Sequence, residues 1–262
     1  MKNRIRRILF RLMGLFFPSV LLILCLCGTA FGARFDIRPV KVFFGPQAKI
    51  EKLIIKNSGE DSLTLQIKAF EWRMDDNGAD SYSETRDIIL FPKMVTLKKD
   101  EEKIVRLGTN LQTGPREKTY RIFVEEIPSA EKEEIQGTLL RMQLKVGIPV
   151  FFSPSVKEDK GEMDPVRLEK GKLTIKVKNT GNVHYLIQSV RIKGEGAAGR
   201  EVFSQGFSGW YVLAGAGRTY EVSIPPEVCR QIHRFQVEVK TQADKVWADQ
   251  FAVNSETCER VR

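Results

Sequence analysis

Thr138-Leu139-Leu140-Arg141-Met142-Gln143-Leu144-Lys145-Val146-Gly147-Ile148-Pro149-Val150-Phe151-Phe152 is the stretch whose reading decides the fold. Leu140, Met142, Leu144, Val146, Ile148, Val150 and Phe152 fall on every second residue. Side chains alternate across an extended strand, so these share one apolar face, and Arg141, Gln143, Lys145, Gly147, Pro149 and Phe151 share the other. A usual strand has about five or six residues, and this pattern is more than twice as long. Pro149 has no N–H to give to a ladder, which argues for an edge rather than a central strand. A long edge with an apolar face is a place for another chain to add a strand. The alternative is that the stripe fills its own domain's core, and residues 146–152 are where that alternative is strongest.

Before this strand the chain reads as short β-type segments separated by turn signals. They are Phe35–Phe44, Lys49–Lys56, Leu63–Met74, Asp87–Leu97, Glu102–Thr109 and Lys118–Ile127, divided by Gly45-Pro46, Asn57-Ser58-Gly59, Asp75-Asp76-Asn77-Gly78, Lys98-Lys99-Asp100 and Gly114-Pro115. The charged loop Ser129–Gly137 leads into the long strand. No segment holds a helical period. Short strands at this spacing predict an immunoglobulin-like sandwich over residues 33–152, with a barrel as the alternative.

Ser153-Pro154-Ser155 breaks the pattern and reads as a linker, after which strands resume across residues 156–262: Lys172–Lys178, Val183–Lys193, Glu201–Phe207, Gly209–Leu213, Thr219–Ile224, Arg234–Thr241 and Val246–Val253. Ile55-Lys56-Asn57-Ser58-Gly59 is echoed by Val177-Lys178-Asn179-Thr180-Gly181, and Val95-Thr96-Leu97 by Tyr211-Val212-Leu213. The two halves therefore read as related sandwiches, and the chain as all-β. If the last two strands form a hairpin pairing Phe235 with Phe251 and Val239 with Trp247, its open end brings Cys229 within one residue of Cys258. A disulfide there clips the hairpin; two free thiols are the alternative.

Met1 to Gly32 reads as a secretory signal, with Lys2, Arg4, Arg6, Arg7 and Arg11 before an apolar run from Leu12 to Leu26. Ala30-Phe31-Gly32 supplies small residues for cleavage after Gly32; an uncleaved anchor is the alternative, and bulky Leu26 weakens a lipoprotein reading through Cys27. The whole chain carries +9, and loss of those five basic residues, with no acidic one among them, leaves +4. That is mildly basic and without a polybasic block, which argues against nucleic acid as a partner.

Little points to catalysis or to a cofactor. The two histidines, His184 and His233, lie in strand patterns and away from cysteines at metal-ligand spacing. There is neither a Gly-rich phosphate loop nor a nucleophile elbow. Asp75-Asp76-Asn77-Gly78-Ala79-Asp80 lacks the closing Glu of a calcium loop, because Arg86 stands there, and reads as a hairpin turn. Glu125 and Glu126 are adjacent, so they point to opposite faces of a strand and share no substrate.

Pro115-Arg116-Glu117-Lys118-Thr119-Tyr120-Arg121, leading into Val124-Glu125-Glu126-Ile127-Pro128, resembles the signature of the PapD-like periplasmic chaperones that assemble pili by the chaperone–usher route. Pro39-Val40-Lys41-Val42-Phe43 is similar to their first strand, Val105-Arg106-Leu107 to the strand before the signature, and Thr138–Pro154 to their long strand and linker. The resemblance implies a boomerang of two immunoglobulin-like domains, a periplasmic location, pilin or fimbrial subunits and an outer-membrane usher as partners, and no enzymatic activity. It implies that the long strand lends Leu140, Met142, Leu144 and Val146 to an incomplete subunit. Exposed in the free protein, such an edge also invites self-association.

Family members hold the subunit's C-terminal carboxylate with an Arg on the first strand and a Lys near the end of the long one. Lys41 stands at the first position, a point charge in place of a fork, and Pro149 at the second. The anchor implied is therefore Lys41, with Arg38 or Lys145 as helpers. The competing readings are a structural or adhesive two-domain sandwich protein and a secreted hydrolase on the same scaffold. The export reading predicts a mature N-terminus at Ala33 and a mass two hydrogens below that of the reduced chain. Mass spectrometry of the exported protein checks both, and a chain beginning at Met1 would overturn the cleavage.

Overall fold

The computed structural model describes residues 35–45, 47–128, 143–253 and Cys258. Two sheets make the first sandwich. One runs β1 (Phe35–Arg38), β3 (Ile50–Asn57), β8 (Glu102–Thr109), β6 (Ile88–Phe91); the other runs β2 (Val42–Phe44), β10 (Lys145–Phe152), β9 (Lys118–Ile127), β4 (Leu63–Met74), β5 (Asp80–Glu84), with β7 (Met94–Leu97) also on β4. The second sandwich has β13 (Lys172–Lys178) between β11 (Glu162–Met163) or β12 (Arg167–Glu169) and β17 (Gly217–Ser223). Facing it is β15 (Glu201–Ser208), β14 (Tyr185–Glu195), β18 (Arg234–Thr241), β19 (Val246–Ala252), with β16 (Tyr211–Val212) on β14. One helical turn, α1 (Pro226–Cys229), precedes β18.

The alternation in the sequence becomes the two inner faces. Leu53 and Ile55, Leu63, Leu65 and Ile67, Val105 and Leu107, Tyr120, Ile122 and Val124 meet in one buried cluster with Ile148, Val150 and Phe152. Burying each such side chain favours folding by roughly 1.5–3 kcal/mol. Tyr120 also donates its hydroxyl to Asp87 Oδ2 at 2.6 Å, and burial, aided by that bond, pushes its phenol pKa up.

Two segments expected as single strands are each broken at a proline. Phe35–Phe44 becomes β1 and β2, and Asp87–Leu97 becomes β6 and β7. In both cases the first piece pairs in one sheet and the second in the other: β1 on β3 but β2 on β10, β6 on β8 but β7 on β4. Pro39 and Pro92 cannot donate to a ladder, so pairing stops there and the chain crosses the sandwich edge. Strand β5 (Asp-Ser-Tyr-Ser-Glu, wholly exposed) carries no apolar alternation by which it could be read beforehand.

The internal repeat has a physical basis. Buried Asn57 donates through Nδ2 to Asp61 O and Leu97 O at 2.7 and 3.2 Å, and its Oδ1 accepts from Gly59 N at 2.9 Å. Buried Asn179 does the same with Val183 O, Val212 O and Gly181 N at 2.8, 2.9 and 3.0 Å. Each amide satisfies turn backbone that water cannot reach, which explains why these pentapeptides match. At the other end of the second sandwich, β18 and β19 pair Phe235 with Phe251 and Val239 with Trp247, and Cys229 is bonded to Cys258 with Cα atoms 5.7 Å apart.

Replacing Asn57 or Asn179 by Ala strands buried backbone groups and is expected to cost about 2–3 kcal/mol each. The two costs should add, because the sites share no partners. Urea unfolding of the two single variants and the double variant checks this.

Candidate functional site

The long strand divides at Pro149. On one side β10 pairs with β9 from Lys145↔Glu125 to Phe152↔Lys118. On its other side β2 reaches only Val150, Phe151 and Phe152, in parallel. Among the described residues nothing pairs with Lys145 to Pro149 on that side, so this part of the strand is a free edge. Its apolar face divides at nearly the same point. Ile148, Val150 and Phe152 are sealed in the first core, whereas Leu144 and Val146 are half-buried and pack at the core's rim. The core reading thus holds for residues 148–152. Leu140 and Met142 lie outside the described residues.

The opposite face of the same sheet looks toward the second sandwich. Trp72 of β4 and Phe151 of β10 are buried against Tyr211, Leu213 and Ala216, the cluster that joins the two domains. Trp72 meets Tyr211 edge-on at 5.4 Å. The His184 ring stacks on Phe151 at 3.6 Å between centroids. Aromatic contacts of this kind favour packing beyond the area they bury.

Polar contacts fix the same junction. One carboxylate oxygen of Glu117 accepts from the His184 backbone N–H at 2.8 Å and lies 2.7 Å from His184 Nδ1. Glu117 N donates to Asn182 O at 2.9 Å, and Asn182 Nδ2 donates to Pro115 O and Val156 O, both at 2.8 Å. The β4–β5 turn also reaches across. Gly217 N and Thr219 N donate to Asp75 O and Asn77 O, and Asp80 accepts from the indoles of both Trp72 and Trp210 at 2.7 and 3.2 Å. Within the turn the Asp75 carboxylate accepts from Ala79 N and Asn77 N, which lowers its pKa. The acidic hexapeptide is therefore a hairpin turn, and its tip docks on β17.

Arg121 is the group that sequence reasoning missed. It faces this junction from β9, directly opposite Pro149. Its guanidinium lies over the Trp72 ring at 4.0 Å and 5.5 Å from that of Trp210, and it is only 5 % exposed. Nη1 donates to Gly147 O at 3.3 Å, while among the described residues Nε and Nη2 meet no acceptor within hydrogen-bond geometry. A Cβ at Gly147 would stand 3.2 Å from Arg121 Cδ, so a larger residue there would crowd the stem. A buried guanidinium with two unused donors is costly unless an anion completes it. The charge is felt nearby: burial raises the Tyr82 phenol pKa, and Arg121 works against that rise.

Of the anchor residues expected, the structure brings Lys41 to the junction, with Nζ 5.4 Å from the Tyr211 ring. Arg38 is in the other sheet, exposed and paired with Glu102 at 3.1 Å. Lys145 pairs with Glu125 and lies over Phe123. Arg121 stood in the quoted signature without a role; what sets it against Pro149 is register, which an unpaired sequence does not show. Glu117 stood in the quoted signature without a role.

Residues 34–157 match the family model described as the pili and flagellar-assembly chaperone, PapD N-terminal domain. Among solved structures, the chain is 20 % identical, over 83 % of its length and 98 % of the other chain, to a chain of the CsuC–CsuE chaperone–tip adhesion subunit pre-assembly complex from archaic chaperone–usher Csu pili of Acinetobacter baumannii, with TM-score 0.59. A chain of the Salmonella enterica SafA pilin–SafB chaperone complex gives 13 % identity, 86 % and 99 % coverage and TM-score 0.52. The class 5 fimbriae chaperone CfaA gives 12 %, 84 % and 100 %, and 0.51. No curated protein matches. The fold is thus the tandem immunoglobulin-like one of the pilus chaperones. Residues 34–157 thus form a domain of the PapD N-terminal family of pili and flagellar-assembly chaperones.

Removing the Glu117 carboxylate leaves two inward donors on His184 without their acceptor. Glu117→Ala is expected to lower stability by about 2–3 kcal/mol, the scale of hydrogen bonds to a charged group, and to loosen the two sandwiches from each other. Denaturant unfolding reads the first effect, and small-angle scattering of the folded protein reads the second.

Proposed function

We propose that this protein is a periplasmic chaperone that captures fibre subunits by donor-strand complementation and hands them to an outer-membrane usher. The observation that carries the reading is the free edge of β10 running past a buried, incompletely bonded guanidinium. An incomplete subunit sandwich lacks a strand. The unpaired backbone of residues 145–149 supplies ladder partners, and Leu140, Met142, Leu144 and Val146 supply apolar side chains at the alternate positions such a groove accepts. The activity is binding alone, with no bond made or broken.

The carboxylate anchor is assigned to Arg121, with Lys41 assisting. Pro149 removes the charge that family members carry near the end of the long strand, and Arg121 restores one from the neighbouring strand at the same level. A guanidinium offers a carboxylate two parallel donors, which an ammonium does not. Nε and Nη2, buried and without an acceptor among the described residues, are the donors a terminal carboxylate would take up.

Two variants test this against a pilin-type subunit whose sandwich lacks one strand. Arg121→Met keeps the packed stem between the indoles, and should leave the fold intact while weakening subunit binding by about tenfold to a hundredfold, the worth of one charge-assisted pair. Leu140→Glu with Leu144→Glu should abolish capture in a protein that still folds. Unchanged binding by isothermal calorimetry in both would end the reading; loss of folding in the second would mark the stripe as core.

A further inference from the structure

The sheet that packs behind β10 turns its outer face to solvent, and that face is apolar and cationic. Ile50, Phe91, Ile89 and Ile104 are 72, 70, 53 and 46 % exposed on it, and Ile54 is half-buried among them. Strand register sets their order. Phe91 stands opposite Arg106, which stands opposite Lys52; the row on one side is Ile89, Gly108 and Ile50, and the row on the other is Ile104 and Ile54. Like charges directly opposite across a ladder oppose pairing. Elsewhere on this face charges are compensated, Arg38 by Glu102 at 3.1 Å and Lys56 by Asp100 at 4.0 Å. Among the described residues Arg106 and Lys52 have no such partner.

We propose that this face docks an acidic, apolar segment of a partner protein, its carboxylates on Arg106 and Lys52 and its apolar side chains among Ile50, Ile54, Ile89, Phe91 and Ile104. The cross-strand repulsion is then relieved on binding, which ties the otherwise unfavourable pair to a function. From the Ile104 row to the Gly108 row is about 13 Å at ~3.3 Å per residue, and the three strands span about 10 Å. That footprint suits two turns of an amphipathic helix or a short extended segment. A second copy docked through the same face would set Lys52 and Arg106 against their own kind. An anionic membrane gains little from two cations. Because the face belongs to the sheet opposite β10, it stays open while the β10 edge is occupied; its docking does not depend on subunit capture there.

The probe is a synthetic amphipathic helical peptide with leucines on one side and glutamates on the other, titrated into the mature protein and followed by amide chemical shifts. Shifts confined to Ile50, Lys52, Ile89, Phe91, Ile104 and Arg106 are expected. The double variant K52E/R106E should bind it on the order of tenfold or more weakly, as should F91S. The same peptide with lysine for glutamate should reverse the preference, favouring K52E/R106E over the native protein. Thermal unfolding of the double variant should be unchanged, since it exchanges one like-charge pair for another and removes no buried contact. Shifts mapping instead to the β10 edge, no binding, or equal affinity for both peptides would overturn the proposal. So would the case in which phosphatidylglycerol-containing vesicles bind and the acidic peptide does not.

Discussion

The packing of Trp72 and Phe151 against Tyr211 and Leu213 is the constraint on which the rest of the molecule depends. It joins the sandwiches through aromatic faces, and the Glu117 carboxylate then locks their relative placement by accepting from His184. Burial of Trp72 at that junction also keeps water from the guanidinium lying over it. The low dielectric there strengthens any ion pair Arg121 forms and penalises its absence. The junction thus does two jobs at once: it holds the domains, and it readies a cation for an incoming anion.

The free edge has an equally local origin. The first strand leaves one sheet at Pro39 and enters the other only at Val42, so it has three residues to give to β10, and these cover Val150 to Phe152. Everything on β10 before Pro149 is left without a neighbour on that side among the described residues. An edge of this kind is normally blunted by charge, bulges or covering loops. Here Leu144 and Val146 at the rim of the core are apolar and only half-covered. An unpaired edge, a guanidinium with idle donors and a like-charge pair between strands each break a rule that otherwise governs folded chains. All three lie in the first sandwich. The second sandwich, by contrast, is closed by a disulfide.

Much of the architecture was legible in the residues. Period-two alternation marked β4, β8, β9, β13 and β18 at their observed bounds, because a strand with one buried face must alternate. The repeated Asn-x-Gly pentapeptides announced two related sandwiches, since a buried amide at a turn demands the same neighbours each time. The spacing of Phe235, Val239, Trp247 and Phe251 set the last hairpin, and with it the cysteine pair, because antiparallel register follows once one pair is placed. The family signature around Glu117 and the edge character of Pro149 could also be read there.

What only the tertiary structure decided is which strands are neighbours and which faces are covered. Arg121 gains its place from the register of β9 against β10 and from an indole forty-nine positions earlier in the chain, and no local pattern encodes either contact. Arg38 and Lys41 are three residues apart, yet the break at Pro39 separates them, leaving one in a surface ion pair and the other at the junction. Lys52 and Arg106 become opposed charges only when β3 and β8 pair. Sequence by itself determined the elements, the repeat and the apolar stripe, because those follow from side-chain period along one strand. Their division into core, edge and anchor follows from pairing across strands, which a linear pattern does not contain.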